Sequence, residues 1–65
     1  MTHNEKLVTI RAMKRYGGSF VKVIAQAWLL ADEDNERRIE ATWPECVTKY
    51  GPGSSMYAET EKEEA

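Results

Sequence analysis

Cysteine, histidine and phenylalanine occur once each among the 65 residues, as Cys46, His3 and Phe20, and proline only twice. A single cysteine excludes an intrachain disulfide scaffold, the usual support of small secreted domains, and points to a reducing compartment. One histidine and one cysteine cannot close a four-ligand zinc site. The longest apolar run, Ala27 to Ala31, falls far short of the roughly 20 residues a membrane-crossing helix needs. No apolar stretch follows the opening Met-Thr-His-Asn-Glu-Lys as a secretory leader requires. These shortages together predict a soluble chain of the cytoplasm that makes no membrane contact.

Charge is present but unevenly placed. Residues 1–30 hold five Lys/Arg against one acid, Glu5, whereas residues 31–65 hold four Lys/Arg against ten Asp/Glu, for a net charge of −2. Apolar density peaks over Ser19–Ala31, where Phe20, Ile24, Ala27, Trp28 and Ala31 form a helical stripe and Val21, Val23, Ala25 and Leu29 extend it around most of the circumference. Such a helix needs cover on several sides, and a chain this short offers little. Self-association would supply the missing cover, so a homodimer is expected, because most soluble homo-oligomers are symmetric dimers.

Along the chain, Asn4 is a candidate N-cap for a helix over residues 4–16, with Lys14 and Arg15 placed against its C-terminal dipole. Gly17 suits the left-handed position past a helix end. The alternation of Val8, Ile10 and Ala12 with Thr9 and Arg11 offers a competing strand over residues 6–12. Ser19 is the expected cap of the second helix, which runs to about Ala31. Asp32 or Asp34 caps the third, which begins near Asn35. Ile39, Trp43, Val47 and Tyr50 continue one stripe through that helix, but Pro44 lacks an amide hydrogen and breaks it into residues 35–42 and 44–50.

The fold class that follows is all-α: a small bundle of three helices, the last broken at Pro44, with short loops and a disordered acidic C-terminal tail. Residues 1–51 form the single domain and residues 52–65 the tail, whose Glu59–Glu64 composition is that of a disordered segment. Phe20, Ile24, Trp28, Ile39, Trp43, Val47 and Tyr50 are the expected core or interface, with Leu7, Ile10 and Met13 as a third layer.

Motifs for chemistry are sparse. His3 and Cys46 have no spacing that suggests a nucleophile and base, so no enzyme activity is expected. Asp32, Asp34 and Glu36 mimic the start of a calcium loop, but Arg37 stands where the loop needs glycine and Trp43 where it needs a bidentate acid. Gly17-Gly18-Ser19 lacks the lysine of a phosphate-binding turn. Nothing calls for a metal or cofactor. Arg11, Lys14, Arg15 and Lys22 could line one basic face, which keeps nucleic-acid binding as the alternative function. A third reading has the acidic 32–45 surface or the 59–64 run imitate nucleic acid.

Tyr16-Gly17-Gly18-Ser19-Phe20-Val21, Ala25 to Asp32, Asn35, Trp43-Pro44 and Tyr50-Gly51 form a pattern that resembles a group of small proteins encoded by bacteriophages and prophages. The resemblance spans residues 13–53. It implies an accessory protein of the bacterial cytoplasm that works without catalysis by contacting, modulating or inhibiting a host protein or defence system. It transfers no catalytic or binding residue.

Overall fold

A computed structural model describes residues 1–64 of the chain. Ala65, the last residue of the expected tail, lies outside the described residues. Five helices follow one another: α1 His3–Tyr16, α2 Ser19–Leu30, α3 Glu33–Thr42, α4 Pro44–Tyr50 and α5 Ser55–Glu64. No strand occurs among the described residues, so residues 6–12 are helical. Their alternation is overridden because Val8, Thr9, Ile10, Ala12 and Met13 all become buried on a helix packed on several sides.

The helix ends follow local chemistry, with shifts from the expected boundaries. Thr2, not Asn4, caps α1: the Glu5 N–H donates to Thr2 Oγ1 at 3.1 Å, and the Thr2 N–H donates to Glu5 Oε1 at 2.7 Å. This reciprocal pair satisfies two amides that the helix start leaves free. Gly18, not Ser19, is the N-cap of α2, and no side chain caps that helix. Asp32 caps α3 by accepting the Asn35 N–H at 2.9 Å.

Gly17 is extended (φ −79°, ψ 160°) rather than left-handed. Its need for glycine is steric, since a Cβ there would meet Val21 Cγ1 at 2.4 Å and the Met13 carbonyl oxygen at 2.6 Å. The Trp43-Pro44 break stands where proline chemistry places it. Trp43 (φ −126°, ψ 61°) closes α3 by donating its N–H to the Ile39 carbonyl at 2.9 Å, and Pro44 opens α4.

The three-helix bundle with a disordered tail is not what forms: five helices pack together, and residues 55–64 are one of them. Ser54 starts α5, its hydroxyl donating to the Gly51 carbonyl at 2.7 Å and accepting the Tyr57 N–H at 3.2 Å. Tyr57 and Thr60 are buried, and Thr60 donates its hydroxyl to the Met56 carbonyl at 2.8 Å. At the far end Glu63 pairs with Arg15, and Glu64 lies 3.1 Å from Arg11. Two of the four acids that make the segment look unstructured thus find cations on α1, and Tyr57 supplies an apolar anchor.

The same arrangement makes α1 the centre of the fold rather than an added third layer. It packs against α2, α4 and α5, while α2 makes its main contacts with α1 and α3 only. The core joins Ile10, Ala12 and Met13 of α1, Ile24, Ala25 and Trp28 of α2, and Cys46 and Tyr50 of α4. α3 contributes no buried residue. Leu7 is half-buried.

Candidate functional site

α2 carries two apolar faces, and the fold uses only one. Ile24, Ala25 and Trp28 are buried, with Val21 packed against them. Phe20, Val23, Ala27 and Leu30 recur at helical spacing along a neighbouring face and are all exposed. Phe20 is 65% exposed, Val23 67% and Leu30 75%, values that place these side chains mostly in water. Contiguous exposed apolar surface of this kind marks interaction sites, whereas scattered apolar residues do not.

The stripe adjoins a groove of about 480 Å³ between α2 and α3. Ala27, Leu30 and Ala31 form one wall, Ile39 and Trp43 the other, and Asn35, Arg38 and Thr42 bring polar groups to the lining. The antecedent local cause is the α2–α3 connection: Ala31 and Asp32 take extended backbone, which folds α3 back beside α2. Phe20 stands against Trp43 of that lining, its ring edge-on at 5.9 Å between centroids and 76° between planes.

The residues expected as core or interface therefore divide. Ile24, Trp28 and Tyr50 are core. Ile39, Trp43 and Val47 are half-buried and pack against the core from outside it. Phe20 is not core, because its position on α2 faces away from α1 toward Trp43 and solvent. Sequence reading passed over Leu30 of the exposed stripe altogether. Its signal was the spacing 20, 23, 27, 30, which runs beside the buried series 21, 24, 25, 28.

The four cations offered as a nucleic-acid face do not stand free as a set. Arg11 and Arg15 are held by Glu64 and Glu63 of α5, and the hydrogen bond to Arg15 draws the Glu63 carboxyl below its ordinary pKa. Lys14 donates to Gln26 Oε1 at 2.7 Å, joining α1 to α2. Lys22 is exposed on α2.

A second, more polar cavity of about 210 Å³ lies among Met1, His3, Lys6, Trp28, Glu36 and Glu40. Lys6 and Glu36 form an ion pair across it, and the Trp28 Nε1–H is buried without an acceptor. Cys46 belongs to the core cluster, and burial, aided by Glu45, pushes its thiol pKa up, away from the reactive thiolate. Among the described residues no group of three or more His, Cys, Asp or Glu side chains converges to hold a metal ion. No described helix is long and apolar enough to cross a membrane. Comparison with family models, with curated proteins and with solved structures finds no match to this chain.

Proposed function

We propose that this chain is a non-enzymatic interaction protein whose α2–α3 face receives an apolar helical segment of a protein partner. The observation that carries the reading is the exposed Phe20, Val23, Ala27 and Leu30 stripe beside the groove of Ile39 and Trp43. An amphipathic helix laid into such a groove buries its own apolar face and the stripe together. Trp43 and Phe20 are the aromatic anchors, the residue types that dominate binding energy when desolvated at the centre of an interface. The phage-like pattern over residues 13–53 supports a bacterial host protein as the target class and the bacterial cytoplasm as the place of action.

Binding of nucleic acid through Arg11, Lys14, Arg15 and Lys22 draws less support. Two of the four cations already neutralise α5 carboxylates, and a polyanion would have to displace these acids before gaining the counterion-release term.

The test is a photo-crosslinking amino acid placed at Val23, with a control at Glu59 on α5, in the full chain produced in bacterial cells. Protein adducts that form from position 23 and not from position 59 are expected. Crosslinks from position 23 to nucleic acid alone, or to nothing, overturn the reading.

A further inference from the structure

We draw no further inference here: the strongest candidate, the exposed Phe20, Val23, Ala27 and Leu30 stripe of α2 beside the α2–α3 groove, belongs to the face already described, and nothing in the structure shows what covers it.

Discussion

α1 and α2 are neighbouring helices of similar length whose burial runs opposite to their composition. α1, HNEKLVTIRAMKRY, carries charge along most of its length yet buries five residues, three of them, Thr9, Ala12 and Met13, completely. α2, SFVKVIAQAWLL, has one charged residue and buries three. Topology accounts for the reversal. α1 is covered by α2, α4 and α5, so even its Thr9 is enclosed and satisfied by donating to the Glu5 carbonyl at 2.7 Å. α2 lies at the side of the molecule with α1 and α3 as its main neighbours, and its surplus apolar face has nothing left to meet. Apolar content therefore reports how much cover a helix needs, and the fold decides how much the chain itself supplies.

Adjacent residues on α2 offer the sharpest way to break this contrast. Ile24→Glu buries a carboxylate among Met13, Trp28 and Tyr50, and an unpaired buried charge costs several kcal/mol, enough to unfold a domain this small. Val23→Glu, one position away and exposed, should leave the fold intact with a stability change of about 0.5 kcal/mol or less in the single chain. Urea titration followed by circular dichroism separates the two outcomes. Equal destabilisation would mean that the face of α2 bearing Val23 is part of the monomer core.

That pair also shows what the sequence made legible. The turn at Gly17-Gly18, the acidic cap at Asp32 and the proline at 44 are local signals, and each falls where a helix ends or begins. The burial of α1 is not local. Its apolar residues alternate at a spacing compatible with a strand, and only contact with three helices fixes them as a core. α5 was hidden for the same reason: Glu59-Thr60-Glu61-Lys62-Glu63-Glu64 has a disordered composition until Arg11 and Arg15, about 50 residues earlier in the chain, supply counter-charges. In the candidate site, Trp43 and Phe20 were visible as aromatics, but which face of α2 remained open depended on where α3 folded back.

A smaller effect sharpens the role of α5 as cover for α1. Tyr57 is 8% exposed, burial pushes its phenol pKa up, and its ring is the largest side chain that α5 buries. Truncating it in Tyr57→Ala should cost about 3 kcal/mol, in the range of other large-to-small core changes. Thermal melting would register this as a marked loss of cooperativity or a lowered midpoint. A melting curve that superimposes on that of the parent chain would mean that Met56, Thr60 and the terminal ion pairs hold α5 without the ring.

The smallest effect concerns those ion pairs, and pH isolates them. The hydrogen bond from Arg15 holds the Glu63 carboxyl below its ordinary pKa, and the Thr2 backbone N–H does the same for Glu5 in the α1 cap. A carboxyl depressed in the folded state stays ionised where the unfolded chain, near pKa 4.3, has begun to bind protons. Its contribution is complete above that unfolded value and is lost as pH falls through the lower folded value. Stability should therefore decline on acidification below about pH 4 to 5, and added salt should shrink the Glu63 share because that pair is exposed. Cys46 and Tyr57 act at the opposite end: burial raises both, so their contribution is present below the unfolded pKa and is lost as pH rises through the folded one. Glu63→Gln removes the titrating group on α5 while leaving the α1 cap and the buried pair untouched. Its melting midpoint should fall less steeply than the parent's on the acid limb and follow the parent's on the alkaline limb. An acid limb of unchanged slope would assign the acid sensitivity to Glu5 at the start of α1 and leave α5 held by Tyr57 and Thr60.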